Sequence, residues 1–444
     1  MLRWLTGLCL YMIFLPGSMA MSEAIFPYKY QTETLPNGLN VIMIPMESPG
    51  LVAYYSVVRT GSRDEVEPGK SGFAHFFEHM MFRGTKKYPG PVYDSIVTSM
   101  GANANAYTTD DLTAFHLVFA KENLEKVIDI ESDRFQHLYY EKPAFQTEAG
   151  AVYGEYRKSI TSPFALLNEK MQDLAYDVHT YKHTTIGFEA DIKAMPDQLD
   201  YSRSFFNRFY RPENVVLVIV GDFDPKGTMK LITRYYGGWQ KGYQAPDVKQ
   251  EPPQHGERDA EVTYSGRTLP ILDIAYKGDA LNPNNRDFVS AILLGDLAFD
   301  ETSDIYKKLV IQEQKVQNLG CSTPINRDMP LFEIYSMVKK AEDIDSVRDD
   351  VYRTLEVFKT TPVDEKRLND LKRRSRYSFL MGLDTPDHVA GGVARFVALT
   401  GGLGVIDQLY DQLMQVTPQD IMHAAKKYFV PESRTVVVLK GANQ

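Results

Sequence analysis

The sequence predicts an α+β protein made of two homologous domains, each a mixed sheet with helices packed on one face. Three kinds of segment occur twice: an aromatic segment with Pro-Glu before a β-branched run, an alternating strand before a charged helical segment, and a two-residue pair that ends in Glu. The pairs are residues 209–213 and 428–432, 115–119 and 332–336, and 147–148 and 364–365. Their offsets, 219 residues for the prolines of the first pair and 217 for the others, indicate a duplicated unit of about 220 residues rather than a short-period solenoid.

A polar, proline-rich stretch at residues 242–258 lies between the two units and is typical of a linker. It bounds a predicted N-terminal domain at residues 21–241 and a predicted C-terminal domain at residues 259–444. Strands and helices mix in each domain without a regular βαβ rhythm, which favours α+β layers over a parallel sheet.

Residues 1–20 have the composition of a secretory signal peptide. Arg3 is their only charged side chain, an apolar run covers residues 4–15, and Pro16-Gly17 and small residues follow. The run is too short to span a bilayer comfortably, and no later stretch is long and apolar enough to do so. We therefore expect an exported, periplasmic protein without a stable membrane span after cleavage. Secretion, or anchoring by an uncleaved leader, are the alternatives.

Charge and cysteine content exclude other classes of function. The 444-residue chain has 49 basic and 58 acidic residues, a net charge of −9 and no strongly basic segment, so binding to nucleic acid through its phosphates is not expected. Cys9 lies in the leader, which leaves Cys321 alone in the mature chain and allows no intrachain disulfide. Cys321 has no histidine near it in sequence to draw out its proton, which argues against a cysteine nucleophile.

The most informative segment is SGFAHFFEHMMFRG, which begins at Ser71. Its central part lacks glycine and proline and predicts a helix with Ser71 as N-cap and Gly84 as C-cap. His75 and His79 are four residues apart, so both imidazoles leave one helix face and suit two nitrogen ligands of one zinc ion. Glu78 points to the same side and can reach a water at the metal without being a ligand. This order, His-x-x-Glu-His, is the inverzincin signature.

A catalytic zinc site needs a third protein ligand and an open fourth position. Glu148 and Glu155 lie seven residues apart in a second predicted helix, so they share a face and either could approach the metal. Spacing leaves that choice open, and two acids on a solvated helix face are the alternative. His179 and His183 form a rival pair with four-residue spacing, but their Thr- and Gly-containing surroundings predict a loop without a glutamate placed as a base.

Taken together, these motifs resemble the pitrilysin/insulinase superfamily of zinc metallopeptidases, which includes the mitochondrial processing peptidases and half-length bacterial enzymes. The resemblance spans roughly residues 28–441 and includes LPNGL at 35–39, the His-x-x-Glu-His segment with Gly-Thr after it, NAYT at 105–108 and RPEN at 211–214. It implies a zinc endopeptidase subunit with a catalytic N-terminal domain and a homologous, non-catalytic C-terminal domain.

The resemblance also implies roles for the site residues. The third ligand in the family lies 76 residues after the second histidine, and that position is Glu155. The zinc ligands would then be His75, His79 and Glu155, with Glu78 as general base on a zinc-activated water. Glu148 would support the ligands without binding the metal.

The matching substrate site in relatives is a sheet edge, here Asn105 and Ala106, that binds extended peptide by strand addition. Peptides and unfolded polypeptide segments are therefore the expected substrates. Neither histidine recurs about 217 residues after the motif, where the sequence is AILLGD at 291–296, so one Zn²⁺ per chain is expected.

The chain departs from the family at one pair of positions. Relatives carry an Arg and, seven residues later, a Tyr that hold substrate and stabilise the transition state, but Val310 and Gln317 stand there in this sequence. This departure implies a heterodimer with a second family member that supplies the Arg and Tyr. A homodimer that uses Lys307 or Lys308 is the alternative. A catalytically silent assembly or binding subunit is the alternative from another functional class.

Overall fold

The structure, a computed structural model, describes residues 24–442, so the predicted signal peptide at residues 1–20 lies outside the described residues. The first half of this part forms one mixed sheet. Its strands are β1 (Gln31–Thr34), β2 (Asn40–Pro45), β3 (Leu51–Val58), β4 (Asn103–Thr108), β5 (Thr113–Ala120) and β6 (Val215–Gly221), in the order β1-β2-β6-β3-β5-β4. The helices of this half are α1 (Phe73–Met80), α2 (Gly90–Ser99), α3 (Leu124–His137), α4 (Lys142–Ser159), α5 (Pro163–Ala175), α6 (Glu189–Ala194), α7 (Leu199–Phe209) and α8 (Pro225–Tyr236).

The second half forms another mixed sheet. Its strands are β7 (Arg258–Tyr264), β8 (Ile271–Lys277), β9 (Val316–Ser322), β10 (Leu331–Val338) and β11 (Arg434–Gly441), in the order β7-β11-β8-β10-β9. Its helices are α9 (Arg286–Phe299), α10 (Asp304–Tyr306), α11 (Ile344–Thr360), α12 (Glu365–Met381), α13 (Pro386–Thr400), α14 (Gly404–Gln415) and α15 (Pro418–Tyr428).

The two sheets repeat one topology. Their strand orders coincide when β2, β6, β3, β5 and β4 are matched with β7, β11, β8, β10 and β9. Each sheet has one parallel pair, β2 with β6 and β7 with β11, and its other described pairs are antiparallel. The predicted α+β class and the duplication are therefore confirmed, with β1 as an addition at the edge of the first sheet.

Strand β6 shows why the sheets are buried on both faces. Val215, Leu217 and Ile219 belong to the core that the first sheet forms with helices of its own half. The residues between them, Val216 and Val218, belong to a second apolar cluster on the opposite face. Because side chains alternate along a strand, the unbroken apolar sequence of β6 serves two layers of packing.

The opposite face of each sheet is covered by a helix of the other half. Helix α13 packs Val389, Val393 and Val397 on β3 and β6 of the first sheet. Helix α5 packs Leu167 and Met171 on β7 and β11 of the second sheet. Helices thus cover both faces of each sheet, one face from within its half and one from across.

Polar contacts fix α13 at both of its ends. Tyr55 of β3 donates a hydrogen bond of 2.8 Å to Asp387 in the first turn. Arg59 and Arg327 donate to the carbonyl of Ala398 at the other end, at 2.8 and 3.1 Å. Guanidinium groups at a helix C-terminus complement its dipole, so Arg59 of the first half and Arg327 of the second half together hold this end of α13.

The segment between the halves has no regular structure. Residues 239–257 contain no helix or strand, and β7 begins at Arg258, the last residue of the predicted linker. The exact domain boundaries stay predictions. Among the described residues, no single helix is long and apolar enough to cross a membrane, and only α13 and α14 as a pair, bent by 96°, meet that criterion of length and composition.

Candidate active site

Helix α1 begins at a glycine that its backbone requires. Gly72 has a φ of 93°, and a Cβ there would lie 2.6 Å from the carbonyl oxygen of Ile186, so only glycine fits. The prediction of Ser71 as N-cap is wrong: the Ser71 hydroxyl donates to Asp191 at 2.6 Å instead. Gly84 ends the short 3₁₀ turn that follows α1, at a φ of 85°.

One face of α1 is anchored in the core of the first half. The buried side chains of this helix are Phe73, Ala74, Phe76, Phe77 and Met80. Phe77 stacks on Phe205 of α7 with ring centroids 5.3 Å apart, and Phe76 meets Phe145 of α4 edge to face at 5.2 Å. The face that carries both histidines also adjoins α4, where Glu148 and Glu155 lie beside His79.

The structure brings His75, His79 and Glu155 together as one potential metal site. One donor atom from each lies within 4.8 Å of the others, and no other such group of three occurs among the residues that the structure describes. Oε2 of Glu155 is 3.7 Å from Nε2 of His75 and 3.3 Å from Nε2 of His79. Two ligands of a tetrahedral zinc ion stand about 3.3–3.4 Å apart, as expected from bond lengths of about 2.0–2.1 Å. The donor set and its spacing therefore fit zinc.

The two histidines have different surroundings. Burial lowers the pKa of His75, whose Nδ1 has no hydrogen-bond partner among the described residues. A hydrogen bond to Glu148 raises the pKa of His79, since it stabilises the protonated ring. His75 is therefore oriented by packing, and His79 by a carboxylate.

Glu148 orients His79 from the side that faces away from Glu155. Its Oε1 lies 3.1 Å from Nδ1 of His79, which leaves Nε2 of that ring for the metal. Its other oxygen accepts a hydrogen bond from Arg83. Burial opposes ionisation of Glu148, but the bonds from His79 and Arg83 outweigh it and lower its pKa. Sequence reasoning gave Arg83 no role; its place four residues after His79 was the available signal.

Glu78 lies on the same helix but outside the ligand group. Its Oε2 accepts a hydrogen bond of 2.6 Å from the hydroxyl of Thr108 on β4. Thr108 belongs to the NAYT segment but was assigned no function from sequence, because pairing across the sheet and helix is needed to see the contact. The carboxylate of Glu78, on α1, is thus fixed against the edge strand β4.

Strand β4 is the last strand of the first sheet and is paired on one side, with β5, within the described residues. Asn105 and Ala106 line a cavity of about 330 Å³ that also contains Glu78 and His79. The remaining lining residues are Phe82, Arg83, Asp94 and Glu148. Backbone groups on the outer edge of β4 can therefore pair with an extended chain beside the candidate metal site.

The rival pair is divided between two structural roles. His179 places Nε2 3.0 Å from Asp328 of the second half. His183 places Nδ1 3.0 Å from the carbonyl of Thr184, and its Nε2 is 3.8 Å from Glu65. Neither histidine belongs to a described group of three metal donors, and the two flank the short 3₁₀ turn Thr180–Lys182.

The two positions at which the sequence is expected to depart from the family lie near the edge of the second sheet. Val310 packs against the core of the second half, and Gln317 is exposed on β9. Lys308 binds Asp350 at 2.6 Å and is therefore already paired within the chain. Burial raises the pKa of the Cys321 thiol to about 12, which further argues against a nucleophilic role.

A duplicated α+β chain with a His-x-x-Glu-His helix in its first half belongs to the class of pitrilysin-like peptidases. The chain is a member of peptidase family M16. Residues 51–188 match the family's sequence profile described as "Insulinase (Peptidase family M16)", and residues 198–375 match the profile described as "Peptidase M16 inactive domain". The resemblance inferred from sequence is confirmed.

Relatives and solved structures match nearly the whole length of the chain. The zinc protease PqqE of Helicobacter pylori is 26% identical over 443 residues, which cover 98% of each chain. The crystal structure of a protease from Helicobacter pylori superposes with a TM-score of 0.87 at 26% identity and covers 93% of this chain and 99% of that one. The first half of the periplasmic protease PqqL from Escherichia coli has the same fold, with a TM-score of 0.76 at 21% identity over 93% of this chain and 92% of that one.

Proposed function

We propose that the chain is the metal-bearing subunit of a zinc-dependent endopeptidase that hydrolyses peptides or unfolded polypeptide segments. The observation that carries this proposal is the position of Glu78. It stands beside the group of His75, His79 and Glu155 but outside it, and Thr108 orients its carboxylate. Glu148 orients a ligand, as a structural metal site could also require, but the described hydrogen bond of Glu78 goes to Thr108 and not to His75, His79 or Glu155. A held carboxylate with no ligand to orient suits hydrolysis, which requires a base beside the metal.

His75, His79 and Glu155 would hold one Zn²⁺, which when bound supplies a Lewis acid that acidifies water and polarises a carbonyl. Glu78 would take the proton of the attacking water and later give it to the leaving amine. Glu148 keeps Nε2 of His79 available by engaging Nδ1. The substrate would lie along β4 as an added strand, with Asn105 and Ala106 beside it.

Glu78→Gln tests the mechanism. Because Glu78 is not a ligand, the variant should keep its zinc while the rate of peptide cleavage falls by about 10²–10⁴-fold. Glu122→Gln, on the exposed turn before α3, is the matched control and should behave as wild type. Undiminished cleavage by the Glu78 variant would rule out this mechanism. If the wild-type chain cleaves no peptide, either alone or together with a second family member, a catalytically silent assembly subunit would be favoured instead.

His75→Ala and Glu155→Ala test the metal site, because each removes a proposed ligand. Zinc content measured by atomic absorption should fall in both. Normal zinc content in either variant would show that the metal binds elsewhere.

We further propose that the active form is a heterodimer. Val310 and Gln317 leave this chain without the Arg and Tyr that relatives direct at the substrate, and preorganised donors at a developing oxyanion contribute about 10²–10³-fold each. The partner would be a second half-length M16 chain that carries those residues. Purified alone, the chain should bind zinc but cleave poorly, and the partner should restore cleavage. Full activity of the pure chain, unchanged by the partner, would favour the homodimer.

We also propose that the chain is exported to the periplasm. The leader-like composition of residues 1–20 and the periplasmic location of PqqL, stated for that relative, support this. Cell fractionation with detection of an N-terminally processed chain tests it, and retention of the full-length chain in the cytoplasm would contradict it.

A further inference from the structure

Helix α1 obtains its N-terminal cap from a distant carboxylate. The helix starts after Gly72, which has no side chain to cap it. Glu65 takes this part: its Oε2 accepts a hydrogen bond of 2.7 Å from the backbone N–H of Gly72, and its Oε1 accepts one of 2.6 Å from that of Ala74. Ala74 directly precedes His75. Both bonds are buried, and Glu65 is only 4% exposed.

We infer that Glu65 is a positioning residue, which fixes the first turn of α1 and thereby the direction in which His75 and His79 present their donor atoms. The effect on catalysis rests on the proposed function, whereas the effect on the geometry of α1 does not depend on it. The first N–H groups of a helix have no partner within it, and a carboxylate that binds two of them also complements the helix dipole. Without this carboxylate the first turn can fray, and His75 lies in that turn.

Glu65 is itself held in place because the segment before it packs against the turn between β4 and β5. Just before it, Arg63 donates its backbone N–H to the carbonyl of Asp110 at 2.8 Å. Gly61 approaches the same turn so closely that a Cβ would lie 2.2 Å from the carbonyl oxygen of Thr109. The position of Glu65 therefore follows from a tight backbone contact and not from a flexible loop.

The second half of the chain reinforces the same segment. The Arg63 side chain donates to Asp328, which lies in the loop between β9 and β10, and Asp328 also meets His179 at 3.0 Å. Through these contacts, the half without a metal site secures the segment that caps the helix of the half with one. This arrangement gives the second half a part in organising the site even though it contributes no ligand.

Hydrogen bonding favours this role over simple burial of a polar group. A buried carboxylate without hydrogen-bond partners would destabilise the fold. Here both oxygens bind N–H donors, and the imidazole of His183 lies 3.8 Å from Oε2. The rival histidine of the sequence thus stands next to the cap of α1.

Glu65→Gln is the first test, because the amide preserves shape but can accept only one of the two bonds well. We expect zinc affinity, measured by competition with a chelator, to fall about 10–100-fold, as for other groups that orient ligands. The absorption spectrum of the Co²⁺-substituted protein should also change, since it reports ligand geometry. With the complete enzyme, kcat should fall while KM changes little.

Glu67→Gln is the matched control. Glu67 lies in the same segment, and its described hydrogen bonds go to Arg208 and Tyr201 and not to α1. It should keep wild-type zinc affinity and cobalt spectrum, even if it lowers the melting temperature. Equal zinc affinity and identical spectra for the Glu65→Gln and wild-type proteins would overturn the inference.

Amide hydrogen exchange separates this inference from the proposed function, because it needs no metal. The amides of Gly72 and Ala74 should exchange faster in Glu65→Gln than in wild type or Glu67→Gln. If Glu65→Gln does not fold, Asp328→Asn loosens the same segment from the second half and should produce a smaller change in the same direction. Unaltered exchange in a folded variant would reject the cap, whereas a wild-type chain that binds no zinc would reject only the proposed function.

Discussion

The hydroxyl of Thr108 donates a 2.6 Å hydrogen bond to Oε2 of Glu78 and so joins the edge strand β4 to the helix that carries both histidines. One contact therefore links the strand along which a peptide would pair with the carboxylate that would move its proton. Binding of a chain along β4 would therefore act on the orientation of Glu78 through this bond.

Thr108→Val should lower kcat without loss of zinc. Valine has nearly the same shape but no hydroxyl, and a hydrogen bond to a charged group contributes about 1.5–3 kcal/mol, which corresponds to about 10–100-fold in rate. Steady-state peptide cleavage and zinc content measure the two effects. Thr32→Val, on the exposed strand β1, is the control. A wild-type rate in Thr108→Val would show that the bond does not orient the base.

Glu148→Gln should weaken zinc binding about 10–100-fold, because the amide no longer offers both His79 and Arg83 a charged acceptor. Competition with a chelator measures the change. Glu141→Gln, at the exposed start of α4, serves as the control for a substitution near the same helix. If both variants bind zinc as wild type does, the orientation of His79 does not depend on Glu148.

Val393→Ala in α13 should destabilise the first half although it lies in the second. Its side chain is fully buried on the first sheet, and the loss should be about 2 kcal/mol at ~0.8 kcal/mol for each buried CH₂ group plus a cavity term. In a chain that starts after residue 20, Trp239 is the only tryptophan, and it lies in the first core. Its fluorescence should therefore report a lower urea midpoint.

Leu293→Ala, in the core of the second half, is the companion to that experiment. It should cost about 2–5 kcal/mol and lower the Trp239 midpoint as well, because each half covers a sheet face of the other. If Leu293→Ala leaves the urea midpoint of Trp239 fluorescence unchanged, the two halves unfold independently.

Two carboxyl groups where the halves meet should contribute a loss of stability as pH rises. Burial raises the pKa of Asp110 to about 6, and burial together with Asp110 raises that of Glu333 to about 7. The folded chain keeps protons that the unfolded chain has already released, so this contribution to the free energy of unfolding falls from about pH 4.5 to pH 7.

Glu333→Gln should flatten that part of the pH dependence, as measured by urea unfolding at a series of pH values. Glu342→Gln, whose side chain is 78% exposed, should leave the dependence unchanged. An equal slope for wild type and Glu333→Gln would contradict the assignment.

Local pattern was sufficient to predict much of the fold and part of the site. The duplicated strand and helix segments predicted both sheets, and the spacing of His75, Glu78 and His79 predicted a shared helix face. The choice between Glu148 and Glu155 could not come from spacing, because both lie on one face of α4. It depends on how α4 packs against α1, which places Glu155 at Nε2 and Glu148 at Nδ1 of His79.

Contacts between distant segments were beyond the reach of the sequence. No local sequence pattern predicts Glu65 as the cap of α1, because it lies well before the start of the helix. Ser71 occupies the position where an N-cap is expected, but its hydroxyl binds Asp191 instead. The packing of α13 on the first sheet is a second contact of this kind. Both features depend on tertiary packing, which local propensity does not encode.

The mutual exchange of α5 and α13 changes what the linker at residues 239–257 means for dissection of the protein. A chain split there would not yield two free-standing domains, because each piece would carry away a helix that shields the other piece's sheet. The two products would instead behave as complementing fragments, each incomplete until it meets its counterpart. Co-expression of the pieces, rather than truncation, is therefore the appropriate way to divide this protein.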